Sequence, residues 1–224
     1  MKTKSTDDFS IGFELECAIL GSLGKPELTR KAKKICRGTR ISDDGSIRIP
    51  NYDYFSVEIV TPPVPITKAM QTLEGMFDLI NEYGATNSSC GLHVNISPIN
   101  KAEWAKMNFL YLAFHPLFKQ ITDEYGRTRN HFSTPNTLKK TLWSDIVQEL
   151  DGDGGTGDVY INSGKEAAIN LNYIRAREGS RRRIEVRAFG NTNYHKKLAI
   201  TKGYIYAILE VFRKSKIYNF DYMK

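Results

Sequence analysis

Apolar and polar positions alternate strictly in five stretches of the chain, and each stretch predicts a β-strand with one buried face. In the first, Ile11, Phe13, Leu15 and Cys17 oppose Gly12, Glu14 and Glu16. Val57-Glu58-Ile59-Val60 is a shorter second strand, stopped by Thr61-Pro62-Pro63 because proline cannot donate to a ladder. Leu92, Val94 and Ile96 oppose His93 and Asn95 in the third; Ile169, Leu171 and Tyr173 oppose Asn170 and Asn172 in the fourth; Ile184, Val186 and Ala188 oppose Glu185 and Arg187 in the fifth. Between the strands the period becomes helical. Ile66, Met70, Leu73, Phe77 and Ile80 recur at three- and four-residue spacing ahead of Gly84, a stop signal, and make a stripe suited to the apolar face of a sheet. A second helix is predicted from Asn100, with Glu103 placed as in a capping box, through Trp104, Met107, Leu110 and Phe114 to Pro116. A third spans about Thr137 to Leu150 and a fourth about His195 to Arg213. This order of elements implies an α+β fold.

The polar faces of those strands change the picture. A water-facing sheet is ordinarily decorated with Lys, Thr, Ser and Gln. Here the face would instead collect Glu14, Glu16, Glu58, His93, Asn95, Asn170, Asn172, Glu185 and Arg187. Residues two apart on a strand lie about 7 Å apart on the same side, so Glu14 and Glu16 can each serve one of two neighbouring ions or share one. Carboxylates packed this closely repel one another unless a cation joins them. Oxygen donors with a single imidazole suit magnesium or manganese rather than zinc. Arg187 would set a fixed positive fork beside the metal, suited to phosphate oxygens.

Composition narrows the class without naming a function. The chain has 224 residues, 41% hydrophobic and 25% charged, enough for one sizeable core. We read one domain over 1–224, with 1–8 a flexible amino terminus and 151–164 a flexible loop. The glycine-rich run from Asp151 to Asp158 is not a calcium loop, since the twelfth position from Asp151 is Asn162 and not the required Glu. The polar start, Met1 to Asp8, and the absence of a long apolar run exclude a signal peptide and a membrane span, so a cytoplasmic protein is expected. Cys17, Cys36 and Cys90 are read as reduced and buried. An excess of Lys and Arg, 32 against 25 acidic residues, favours anionic partners in general. Arg175, Arg177, Arg181, Arg182 and Arg183 could track a phosphate backbone, but such a run is more often a solvated turn.

Six short motifs, in this order, resemble the amidoligases: Gly12-Phe-Glu-Leu-Glu16, Asp44-Gly-Ser46, Glu58-Ile-Val-Thr-Pro-Pro63, Cys90-Gly-Leu-His-Val-Asn95, Asn170-Leu-Asn172 and Glu185-Val-Arg187. That family belongs to the carboxylate-amine ligase superfamily of glutamine synthetase and glutamate-cysteine ligase. The resemblance implies a curved antiparallel sheet of the glutamine-synthetase type, with helices on the convex face and the active site on the concave polar face. It implies an ATP-dependent ligase that forms an amide or isopeptide bond through an acyl phosphate, using ATP and two or more Mg2+ or Mn2+ ions. Glu14, His93 and Glu185 would hold the nucleotide-side ion, and Glu16 and Glu58 the other. Arg187 would contact the transferred phosphoryl group. Independently of the resemblance, Lys165, Arg127 and Arg129 could add positive charge from loops, and Asn95, Asn170 and Asn172 are further nucleotide-binding candidates on the polar face. Ser88, Ser89 and Gly91, in the stretch before His93, would receive the carboxylate substrate. Asp44 would bind and deprotonate the amine. Many family members carry a second histidine where this chain has Asn95, and the amino-terminal domain of glutamine synthetase has no counterpart here. The amine site is therefore expected from the chain's own loops or from another subunit.

The expected partners are a carboxylate and an amine, on small molecules, peptides or protein side chains. Oligomerisation stays open. Three alternatives remain: another phosphoryl-transfer enzyme on the same fold, a catalytically degenerate nucleotide-binding protein, and a nucleic-acid-binding protein built on the arginine run, the last not favoured.

Overall fold

The computed structural model describes residues 8–48, 51–127, 167–171, 173 and 182–217. It is an α+β structure around one antiparallel sheet, with strands β1 (Phe9–Leu20), β2 (Arg40–Asp43), β3 (Tyr54–Val60), β4 (Val64–Pro65), β5 (Gly84–Ala85), β6 (Gly91–Pro98), β7 (Ile169–Asn170) and β8 (Ile184–Gly190). The main path across the sheet is β2-β3-β1-β6-β8-β7, and β4 and β5 both pair with β1. The helices are α1 (Lys25–Ile35), α2 (Ile66–Tyr83), α3 (Phe109–Phe114), α4 (Pro116–Glu124) and α5 (Leu198–Ser215).

β1 is the organising strand because both of its edges are used along most of its length. β3 pairs with Glu14 to Leu20 and β4 with Ser10 and Ile11, while β6 pairs with Phe9 to Leu15 and β5 with Ala18 and Ile19. Its odd-numbered side chains, Phe9 through Ile19, are all fully buried. At about 1.5–3 kcal/mol for each large apolar side chain removed from water, this one face holds the strand in register. α2 packs against β1 with Ile66, Met70, Leu73, Phe77 and Ile80 all buried, and the Gly84 N–H closes the helix on the Ile80 carbonyl. α5 joins the same core through Phe212, edge-on to Phe9 at 5.8 Å. Gly12 carries no side chain for a local reason: a Cβ there would sit 3.1 Å from the Thr61 carbonyl oxygen, where the chain crosses on its way into Pro62-Pro63.

Several elements differ from the sequence expectation. The helix expected from Asn100 to Pro116 is three pieces: a 3-10 turn over Lys101–Lys106, then α3, then α4. Asn108 breaks it by capping the Tyr111 N–H, and His115 caps Leu117, so Pro116 begins a helix instead of ending one. Glu103 does not complete a capping box; it pairs with Lys106 and Lys216. Tyr173, expected on the buried side of the fourth strand, is instead exposed beyond β7. α1 and β2 were not anticipated. The helix expected at 137–150, the loop at 151–164 and the amino-terminal residues 1–7 lie outside the described residues. No helix among the described residues is long and apolar enough to cross a membrane.

Candidate active site

The register of the sheet brings the polar face together. Glu14 lies opposite His93, Glu16 opposite Glu58, Asn95 opposite Glu185, and Asn170 opposite Glu185 from the other side. Directly opposed residues project to the same face, so five strands contribute to one surface. β8 carries one extra residue against β6: Leu92 pairs with Phe189 but Val94 with Val186, a two-for-one irregularity opposite His93. This bulge lets Arg187 stay on the polar face beside Glu185 while Val186 and Phe189 both remain in the core.

A cavity of about 350 Å³ opens on this surface, lined by Glu14, Glu16, Ser46, Glu58, Ser89, His93, Asn170, Tyr173, Glu185 and Arg187. His93, 2% exposed, is one of its lining residues. Its Nδ1 lies 3.2 Å from Glu14 Oε2 and 3.6 Å from Glu185 Oε1, and its Nε2 lies 3.4 Å from Glu16 Oε1. Nδ1 is within hydrogen-bond reach of Glu14 Oε2 and, at 3.5 Å, of Arg187 Nη1, and which of the two it serves depends on the tautomer. Nε2 faces Glu16, is buried, and has no hydrogen-bond partner. With Nδ1 donating to Glu14, Nε2 would turn a lone pair on a carboxylate oxygen, which is repulsive unless a cation lies between, and an imidazole held in that way is the usual form of a metal-binding histidine. Gly91 keeps that space open, since a Cβ there would fall 2.8 Å from His93 Nε2 and 3.0 Å from Glu16 Oε2.

The carboxylates are held by different groups. Glu14 accepts from Asn95 Nδ2 at 2.9 Å, and Arg183 Nη2 lies 3.8 Å away. Burial works to raise its pKa, but the His93 hydrogen bond and charge, with Asn95 and Arg183, outweigh burial and hold it at about 2. Glu16 accepts from the Gly91 N–H at 2.6 Å. Glu185, 2% exposed, accepts from Asn170 Nδ2 at 2.7 Å and Arg187 Nη1 at 3.2 Å. Glu58 is the unsettled member: burial, then the Glu14 charge, with smaller pushes from Glu16 and Asp44, raise its carboxyl to about 7 against the pull of His93. One ligand atom each from Glu14, Glu58 and His93 lie within 4.8 Å of one another, a trio that crosses the two-ion division the resemblance implies. The donor set, the unpartnered nitrogen and the unrelieved repulsion at Glu58 fit a hard divalent cation.

The other expected residues are distributed unevenly. Ser89 lines the cavity, whereas Ser88 is exposed outside its lining. The Gly91 N–H is committed to Glu16. Asp44 is not at the cavity wall; its Oδ1 caps its own turn, accepting from the Ser46 N–H at 2.8 Å and the Ser46 hydroxyl at 2.6 Å. That turn aims Ser46 into the cavity in its place. Asn95 bridges Arg183 and Glu14 behind the wall. Arg127, expected to meet nucleotide, is 1% exposed and lies outside the cavity lining, donating from Nη1 to the Cys90 carbonyl at 2.8 Å. Lys165, Arg129 and Asn172 lie outside the described residues, as do Arg175, Arg177 and Arg181. The two described members of the arginine run are engaged within the fold: Arg182 over the Trp104 ring at 4.8 Å, and Arg183 over the Tyr173 ring at 3.8 Å. Sequence reasoning missed Ser46, Tyr173 and Arg183, although Ser46 stands in the Asp-Gly-Ser motif and Arg183 two residues before Glu185 on the same strand side.

A family model described as "Putative amidoligase enzyme" matches residues 23–139, more than half of the chain. The chain belongs to the amidoligase family. The span matched to this amidoligase model contains Asp44, Glu58, the Asn87–Gly91 stretch and His93, while Glu14, Glu16 and Glu185 lie beyond it and join it through the sheet register. Membership indicates a ligase-like enzyme that takes, at a coarse level, a carboxylate and an amine. No curated protein sequence matches the chain at a significant level.

Proposed function

We propose that this amidoligase is an ATP-dependent carboxylate-amine ligase, working on the polar face of a sheet of the glutamine-synthetase type. The observation that carries the reading is the convergence of Glu14, Glu16, Glu58, Glu185 and the unpartnered His93 Nε2 on one cavity. Glu14, Glu58 and His93 would hold one Mg2+ or Mn2+ ion, and Glu16 and Glu185, which face His93 Nε2 and Nδ1 respectively, would be the further carboxylate ligands. Bound there, such ions neutralise charge on the triphosphate and on the leaving oxygen.

The chain's own residues would do the rest. Arg187 reaches the cavity from beside Glu185 and would offset the charge spread over the γ-phosphoryl oxygens as a substrate carboxylate oxygen attacks phosphorus and ADP departs. The resulting acyl phosphate gives the carbonyl a leaving group, which a free carboxylate lacks. An amine then attacks that carbon, the amide forms, and phosphate leaves. Ser46 and Ser89 place hydroxyl groups at the cavity wall, their protons donated to Asp44 and Asn87, so either would have to give up that bond to donate to the carboxylate. The amine must lose a proton, and Asp44, with Oδ1 tied to its own turn, is less suited to take it than the residue was expected to be.

The test is nucleotide turnover with Mg2+ or Mn2+ in wild type and in Glu14→Gln and Glu185→Gln. Both substitutions preserve shape and remove the charge. Metal-dependent ADP release should fall to background in variants that circular dichroism shows to be folded at the assay temperature; undiminished release in either variant overturns the assignment.

A further inference from the structure

Arg127 is a buried cation that the proposed chemistry does not use directly, and its placement gives it a different task. We propose that Arg127 is a positioning residue that fixes the Glu16 carboxylate through the Cys90–Gly91 peptide unit. The carbonyl of that unit accepts Arg127 Nη1 at 2.8 Å and the Asn191 N–H at 2.8 Å. The N–H of the same unit donates to Glu16 Oε2 at 2.6 Å. A peptide unit is a rigid plane, so pinning its oxygen aims its N–H. A cation at the oxygen end and an anion at the hydrogen end polarise the unit in the same sense, and each hydrogen bond strengthens the other.

The surroundings admit little else for this side chain. Gly190, at φ 137°, has the backbone of a glycine, and a Cβ there would collide with Arg127 Nη1 and the Cys90 oxygen. The backbone of Arg127 is anchored by its own N–H to the Thr122 carbonyl at 2.7 Å, at the end of α4. Its Nε is buried without a hydrogen-bond partner. Burial lowers its pKa to about 10, with the Glu16 charge acting the other way, which leaves it cationic at neutral pH. An arginine held on these terms, one peptide away from a cavity carboxylate, serves that carboxylate and not a ligand in solvent.

The consequence for turnover rests on the ligase reading; the positioning itself does not, and two readouts separate them. The first is amide hydrogen exchange at Gly91 in the protein alone. Losing a charge-assisted bond should speed exchange at Gly91 by about tenfold or more in Arg127→Met, while Val94 and Ile96 on the same strand keep wild-type rates. Arg127→Lys, which keeps the charge and a donor, should recover part of the protection, and serves alone if the Met variant does not fold. The second is ADP release: kcat should fall by about tenfold or more in Arg127→Met, with the KM for ATP unchanged. Wild-type exchange at Gly91 in both variants overturns the proposal. A raised KM for ATP at unchanged kcat does so too, because it makes Arg127 a nucleotide contact. If wild type releases no ADP, the ligase reading falls and the Gly91 exchange still decides the role of Arg127.

Discussion

Glu58 gives the site a pH dependence that can be worked out in advance. Its carboxyl is raised to about 7 by burial and by the neighbouring Glu14, Glu16 and Asp44, so near neutrality it is half protonated before any metal arrives. A metal ligand must be ionised, so binding has to expel that proton. With a pKa of 7, about a tenth of Glu58 is ionised at pH 6 and about a hundredth at pH 5. The apparent affinity for Mn2+ should therefore be weaker than its plateau by about tenfold at pH 6 and about a hundredfold at pH 5 from this group, levelling off above pH 7. Titration calorimetry of Mn2+ into the protein between pH 5 and 8, in buffers of different ionisation enthalpy, reads both the affinity and the protons released. Glu58→Gln should bind more weakly at pH 8 and should lose about one proton from the pH slope. Equal proton release from wild type and Glu58→Gln would refute the reasoning, since the excess proton would then not reside on Glu58.

Three further outcomes follow from the same geometry. Because the folded-state pKa of Glu58 is raised, its contribution to stability is present in full below its ordinary value of 4.5 and is lost as pH rises through 7; that of Glu14, depressed to about 2, is present above 4.5 and lost as pH falls through 2. Metal-free Glu58→Gln should thus gain unfolding temperature on wild type between pH 5 and 8, and a constant difference counts against the assignment. Gly91→Ala should lose Mn2+ binding, as its methyl group enters the space between His93 Nε2 and Glu16, at about 1–3 kcal/mol in denaturant-measured stability; unaltered Mn2+ affinity would mean this space is not used. Asn170→Ala removes the 2.7 Å donor to buried Glu185 and should cost about 1.5–3 kcal/mol, measured by urea unfolding, with a loss within error refuting the importance of that bond.

Period-two patterning was enough to put Glu14, Glu16, Glu58, His93, Glu185 and Arg187 on one face, because one-sided burial leaves a strand no other register. It could not foresee the bulge opposite His93, which depends on one extra residue in β8 that no alternation announces. α1 escaped notice because its buried side is narrow, Leu28 and Ala32 among lysines and arginines, and its start is marked only by Pro26 after Gly24. The break at Asn108 is a competition between an uninterrupted apolar stripe and two side chains that cap new helices, and the caps win. Asp44 and Arg127 were placed by residue type and motif. Their tasks, closing a turn and pinning a carbonyl, depend on partners such as Ser46 and Cys90 whose carbonyl and hydroxyl directions are set by the folded loops.

The central claim is that the carboxylate cavity activates one substrate with ATP and joins it to another. The most direct measurement incubates the purified protein with ATP, Mn2+ and a metabolite and peptide extract, and follows ADP and product masses together by mass spectrometry. The account predicts that ADP accumulates in step with a new species whose mass is that of a carboxylate and an amine less one water, both signals vanishing in Glu14→Gln. ADP with a phosphorylated product and no condensed one, or no ADP under any of these conditions, would contradict it.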